Sequence, residues 1–114
     1  MNGKDKLNGV DQRLINLAEQ IDKNLPDGIE LTISEGLRSI ERQKQLFKEK
    51  KTKTMNSKHL IGKAIDIYPI KNNKIYWEYF PKLIEIAKKI NNTDFNYGID
   101  FKGFVDSPHI ELRS

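Results

Sequence analysis

Ser57-Lys58-His59-Leu60-Ile61-Gly62-Lys63-Ala64-Ile65-Asp66 is the stretch on which the rest of the chain is read. It carries one of the protein's two histidines and ends on an acid flanked by Ile65 and Ile67. Side chains alternate along a strand, so Ile65 and Ile67 enter a core while Asp66 points to the opposite face. His59 lies just before that strand, and Gly62 permits a bend that returns it over the same face. The second histidine, His109, stands in Asp106-Ser107-Pro108-His109-Ile110-Glu111-Leu112. The expectation is that His59, Asp66 and His109 meet around one zinc ion.

Working outward, Leu14, Leu17, Ala18, Ile21 and Leu25 recur at helical spacing and predict an amphipathic helix from about Gln12 to Asn24. Asp11 is a suitable N-cap, and Pro26-Asp27-Gly28 stops the helix. Ile29 to Ser34 alternates apolar and polar residues as a half-buried strand does. After the turn Glu35–Ser39, Ser39 caps a second helix that runs to about Lys50 on Ile40, Gln43, Leu46 and Phe47. Lys51 to Lys58 has no apolar pattern and reads as an exposed loop. Ala64 to Tyr68 is the next strand, ended by Pro69, with a turn at Lys71–Lys74. A third helix is expected from about Trp77 to Ile90, with Trp77, Phe80, Leu83, Ile84, Ala87 and Ile90 buried and Pro81 tolerated in its first turn. Phe95–Tyr97 and Ile110–Leu112 complete the set. The order α-β-α-β-α-β-β predicts an α+β domain: a small, largely antiparallel sheet flanked by about three helices.

Length and composition fit that reading. The chain has 114 residues, 37% hydrophobic and 32% charged, which suits one soluble domain with a modest core. Its apolar runs are too short to span a bilayer, and the N-terminus has no apolar segment of the secretory kind. The absence of cysteine removes thiolate nucleophiles and Cys-type zinc sites, leaving His and carboxylates as metal ligands. A net charge of +4 favours encounter with polyanions: nucleic acid, anionic lipid or an anionic cell wall. The excess gathers between Lys44 and Lys58, at Lys48, Lys50, Lys51 and Lys53. Such a run is ordinarily a solvated face. No helix-turn-helix or stacked-aromatic signature accompanies it, so nucleic acid is not the expected partner.

Two histidines and a carboxylate suit zinc, and three protein ligands leave the fourth position to water, the pattern of catalytic sites. Asp106 stands three residues before His109 across a proline, placed to take a proton from that water and give it to a leaving amine. Arg38, at the mouth of the second helix, is the candidate for stabilising an oxyanion. Taken singly, each residue has a plainer reading: His59 as a surface histidine, His109 as a hydrogen-bonded strand residue, Asp66 as a turn cap or lysine partner, Arg38 as half of a salt bridge. Spacing alone does not choose between these.

The paired pattern Ser57-x-His59-x-x-Gly62-x-Ala64-x-Asp66 and Asp106-x-x-His109 resembles the zinc peptidases that cleave bonds involving D-amino acids in peptidoglycan. These include D-alanyl-D-alanine dipeptidases and carboxypeptidases of the vancomycin-resistance type, and phage L-alanyl-D-glutamate endopeptidases that act as endolysins. Ser34-Glu35-Gly36-Leu37-Arg38-Ser39 with Gln43, Trp77-x-x-Phe80, and Tyr97-Gly98-Ile99-Asp100-Phe101 extend the likeness from about Ile29 to Leu112. The ending Asp106-Ser-Pro-His109, in place of the Glu-x-Trp-His of many relatives, is closer to the phage branch. That branch's usual Trp-Gly-Gly-Asp-Trp appears here as Tyr97 to Phe101.

The resemblance implies a fold like that of the hedgehog domain and the D,D-peptidases. It implies zinc on His59, Asp66 and His109, Asp106 as general base, Arg38 on substrate or oxyanion, and Ser57, Gln43 and Asp100 as further substrate contacts. The implied activity is cleavage of the L-Ala–D-Glu bond of the peptidoglycan stem peptide. The alternatives are D-Ala–D-Ala carboxypeptidase or dipeptidase action, and a zinc-containing binding domain without catalysis, against which the acid at Asp106 argues. Residues 1–114 are expected to be a single catalytic domain, monomeric, with no separate wall-binding domain and no membrane partner. The lysines from Lys44 to Lys58 would then provide attachment to anionic wall polymers. Without a signal, the protein is expected to stay in the host cytoplasm until a holin-type lesion admits it to the wall.

Overall fold

The computed structural model describes residues 1–52, 54–103 and 105–113. Three helices and five strands follow in the order α1 (Gln12–Lys23), β1 (Glu30–Glu35), α2 (Ile40–Lys48), β2 (Ala64–Lys71), β3 (Lys74–Ile75), α3 (Phe80–Ile90), β4 (Phe95–Tyr97) and β5 (His109–Leu112). Short 3-10 turns occupy Lys4–Leu7, Lys58–Ile61, Trp77–Tyr79 and Gly98–Asp100. The α+β expectation holds.

The sheet has the order β1-β2-β5-β4, and β3 pairs with the far end of β2. Every pairing between these strands is antiparallel. One face is sealed by α1 and α3. Leu14, Leu17, Ala18 and Ile21 of α1 meet Leu83, Ile84 and Ala87 of α3 over Leu31, Ile33, Ile65, Ile67, Ile110 and Leu112. Ile65 and Ile67 are fully buried, so the alternation that turns Asp66 to the other face is realised. That other face carries Asp66 and, across the ladder, His109.

Local chemistry sets the ends of the elements. The Asp11 carboxylate accepts from the Arg13 N–H at the start of α1, and the Ser39 hydroxyl accepts from the Arg42 N–H at the start of α2. Asn72 and Asn73 both adopt positive φ, the conformation that a two-residue hairpin between β2 and β3 requires.

Several expectations change in detail. Pro69 does not end β2, which continues to Lys71. The Pro69 carbonyl faces β3, where it accepts from the Tyr76 N–H. Its missing N–H falls on the same side, so the ladder to β1 loses no bond. The third helix begins at Phe80, because Trp77–Tyr79 form a 3-10 turn, and Trp77 is 56% exposed instead of buried. Ile40 and Phe47 of α2 also face solvent, and only Gln43 and Leu46 of that helix are buried. β5 starts one residue early, on His109. Lys58 belongs to a 3-10 turn capped by the Ser57 hydroxyl, whereas Lys53 of the basic run lies outside the described residues. The N-terminal segment adds a parallel bridge from Asn2 to Thr32 and buries Leu7 and Val10. Among the described residues no helix is long and apolar enough to cross a membrane.

Candidate metal centre and active-site cleft

Strand register brings the first two candidate ligands together. Asp66 on β2 pairs directly with His109 on β5, both on the face away from the helices. His59 arrives from the 3-10 turn before β2, whose last residue is followed by Gly62 at φ 70°, the left-handed conformation a side chain would strain. Its carbonyl accepts from the Arg38 N–H, which ties this turn to the entrance of α2.

The three donor atoms form a nearly equilateral triangle. His59 Nε2 is 3.2 Å from Asp66 Oδ1 and 3.2 Å from His109 Nδ1, and His109 Nδ1 is 3.3 Å from Asp66 Oδ1. Zinc bonds of about 2.0–2.1 Å in a tetrahedral shell place neighbouring donors about 3.3–3.4 Å apart. The triangle therefore fits one face of such a shell. The outer hydrogen bonds also suit it. His59 Nδ1 lies 2.8 Å from the Gly36 carbonyl, which can accept only from an N–H, leaving Nε2 as the free donor. His109 Nε2 lies 2.8 Å from Glu111 Oε1, leaving Nδ1 toward the triangle.

Electrostatics match a cation site. Burial works against the Asp66 carboxylate, but bonds from His109 and His59 outweigh it and hold the group well below the usual carboxylate range. Burial likewise opposes a charged His109, yet bonds to Asp66 and Glu111 and the nearby Asp106 push it up to about 9 in the metal-free protein. Asp106 moves upward, through burial first and then the negative charge of Asp66, with His109, His59 and Arg38 opposing. Its carboxylate is 3.9 Å from His109 Nδ1 and 40% exposed, at the rim of the triangle.

Proline and glycine fix Asp106. The His109 N–H bonds the Asp106 carbonyl, and the Pro108 carbonyl accepts from the Ile67 N–H, which locks the turn to β2. The Asp106 N–H in turn bonds the Gly98 carbonyl. A Cβ on Gly98 would sit 1.9 Å from the Asp106 carbonyl oxygen, so only glycine allows the two segments to approach this closely.

A cleft of about 570 Å³ opens over the triangle, walled by Arg38, Ser57, Tyr68, Phe101 and Asp106. Arg38 is held rigidly. Its Nε and Nη2 donate to the two Glu35 carboxylate oxygens at 2.5 and 2.7 Å, and Nη1 donates to Gln43 Oε1 at 2.7 Å and Ser57 Oγ at 3.4 Å. A guanidinium has five N–H groups, so one on Nη2 has no partner among the described residues.

Two of the expected substrate contacts are placed elsewhere. Gln43 is fully buried between Arg38 and the Thr54 carbonyl, and it positions Arg38 without lining the cleft. Asp100 pairs with Lys88 at 2.6 Å and lines an adjoining hollow on the other side of Phe101. Tyr68 and Glu111 also line the site, although no motif singles them out. The two-residue period that singles out Asp66 and His109 carries straight on to both of them.

With this geometry in place, the relatives are informative. Residues 1–103 match the family described as phage L-alanyl-D-glutamate peptidase. The chain belongs to this family. The L-alanyl-D-glutamate peptidase of Listeria phage A118 is 32% identical over 95 residues, covering 82% of this chain and 34% of that protein. The peptidoglycan L-alanyl-D-glutamate endopeptidase CwlK of Bacillus subtilis (strain 168) is 35% identical over 106 residues, covering 75% of this chain and 62% of its own length. The chain thus spans a third to under two thirds of these family members. Among solved structures, the L-Ala D-Glu endopeptidase ChiX of Serratia marcescens superposes with a TM-score of 0.86 at 23% identity, over 97% of this chain and 86% of that one. A vancomycin-resistance D,D-pentapeptidase VanY in complex with Zn(II) gives 0.62 at 19% identity, over 92% and 73%. At these identities the two structures establish the family's fold.

Proposed function

We propose that this protein is a zinc-dependent peptidoglycan peptidase that hydrolyses the L-Ala–D-Glu bond of the stem peptide, in the manner of a phage endolysin. The observation that carries the reading is the 3.2–3.3 Å triangle of His59, Asp66 and His109 with Asp106 at its rim, at the floor of an open cleft. Membership of a family named for that bond supports this choice of substrate.

Zinc on His59, Asp66 and His109 would polarise the scissile carbonyl and lower the pKa of water to about 7. Asp106 takes a proton from the attacking water and delivers it to the D-Glu nitrogen as the C–N bond breaks, giving an L-Ala carboxylate and a free amine. Its upward shift moves it toward the range in which it can both accept and return a proton. Arg38 offers its spare Nη2 hydrogen and a fixed positive charge to the oxyanion or a substrate carboxylate. Ser57 caps the His59 turn and shares the Arg38 contact. Lys44, Lys48 and Lys50 are exposed and add attachment to anionic wall polymers. Its place of action is the cell wall, reached after release from the host cytoplasm.

Digestion of purified peptidoglycan, with mass spectrometry of the products, tests this reading. Cleavage should release L-Ala carboxyl and D-Glu amino ends, stop on chelation and return with zinc. D-Ala release instead would move the activity to the D,D-peptidases. Sedimentation with intact walls in the same assay should fall as salt rises if the lysines attach the protein.

A further inference from the structure

Beyond the three ligands, one ion pair joins the two elements that carry the histidines. Glu111 is two residues from His109 on β5 and so shares its face. Its Oε1 lies 2.8 Å from His109 Nε2, while Oε2 lies 3.5 Å from Lys58 Nζ. Lys58 is the immediate neighbour of His59, and its ammonium also donates to the Leu112 carbonyl on β5. Ala64, paired with Glu111 across the sheet, brings only a methyl group to that spot. The Glu111 side chain is 18% exposed, so its contacts are made with little competing water.

We propose that Glu111, held by Lys58, is the positioning residue that fixes the tautomer of His109 and sets the strength of the metal centre. The proposal rests on the zinc reading above. A neutral imidazole offers a lone pair at one nitrogen only. If the proton sat on Nδ1, His109 would turn an N–H toward Asp66 and His59 and could not complete the triangle. Glu111 prevents this by accepting the Nε2 proton. The two histidines are treated differently: His59 has the neutral Gly36 carbonyl behind it, whereas His109 has a carboxylate. A carboxylate draws the N–H more strongly and leaves the opposite nitrogen a better donor, so His109 is the stronger imidazole ligand. Lys58 keeps the carboxylate from swinging away and couples the His59 turn to the strand bearing His109.

The test uses zinc-loaded wild type, Glu111→Gln and Glu111→Ala. Zinc affinity is measured by competition with a chromophoric chelator, and the His109 tautomer by nitrogen-15 NMR of the ring. Wild type should show the Nε2–H form. Glu111→Ala should bind zinc about 10- to 100-fold more weakly, the range for lost outer partners of metal ligands. Glu111→Gln, which keeps an acceptor without the charge, should fall between. Unfolding midpoints of the metal-free proteins separate this effect from loss of fold. Unchanged affinity and tautomer in Glu111→Ala, with wild type still cleaving walls, would overturn the positioning role alone. The predicted loss of affinity in a protein that cuts no wall would sustain the positioning role and remove the peptidase reading.

Discussion

Gly98 shows how a single residue governs the geometry of the site. Its carbonyl holds the Asp106 N–H, and its missing side chain is what lets the Asp106 carbonyl lie against it. Gly98→Ala must displace the Asp106–His109 turn, since neither partner is a flexible side chain. A displacement of about 1 Å at a reacting group costs about 100-fold in rate. Gly98→Ala should therefore cut wall hydrolysis by about that factor while leaving helical circular dichroism intact; near-normal turnover would show that Asp106 needs no such precision. At this scale the sequence was legible where the signal was local. Ile65-Asp66-Ile67 gives its faces by alternation alone, and only two histidines compete for the site. Gly36 could not be found that way, because it meets His59 from 23 positions away along the chain. Gln43 was legible only as part of a motif: its burial and its bonds to Arg38 and the Thr54 carbonyl follow from the tertiary fold.

Among the elements, β4 and α3 are joined by a bond that pH can probe. The buried Tyr97 hydroxyl donates to the Asn91 carbonyl at the end of α3, at 2.6 Å. Burial pushes its pKa up to about 12, with Arg113 opposing, from an ordinary value near 10. The folded state thus favours the neutral phenol. Its contribution to stability is complete below pH 10 and is lost as pH rises through about 12. Tyr97→Phe should lower stability by about 1 kcal/mol at neutral pH, the ordinary worth of a hydrogen bond. It should also flatten the fall in unfolding midpoint between pH 10 and 12; an unchanged alkaline limb would contradict the assignment. Element type followed from periodicity, and element ends did not. The 3-10 turn at Trp77–Tyr79 advances three residues per turn in place of 3.6, so Trp77 leaves the phase of the helix and meets solvent. Pro69 stays within β2 because its ring faces the short β3 pairing, a fact of sheet topology and not of local sequence.

On the scale of the molecule, one sheet divides two tasks. The face under α1 and α3 is apolar and holds the strands in register; the other face reads out that register as chemistry. Asp66 against His109, and Ala64 against Glu111, are alternate rungs of the β2–β5 ladder, with Ile65 against Ile110 between them on the core face. A one-residue slip of β5 would send His109 and Glu111 into the core and Ile110 into the cleft, so burial of the core is what specifies the metal triangle. The sequence was least explicit at β3, a two-residue strand where it showed only a turn, whereas the four residues of β5 were legible to within one position and only their partner was set by register. The cleft, by contrast, takes Arg38 and Ser57 from segments outside the sheet, which the family resemblance anticipated better than periodicity could.

In the proposed function Asp106 moves the proton while His59, Asp66 and His109 hold the metal. The most direct measurement is zinc content and peptidoglycan hydrolysis on the same samples of wild type and Asp106→Ala. Both proteins should hold one zinc per chain, with release of L-Ala and D-Glu ends reduced by about 100-fold or more in the variant, as for loss of a general base. Full hydrolysis by zinc-loaded Asp106→Ala would contradict it, because the proton would then have another carrier.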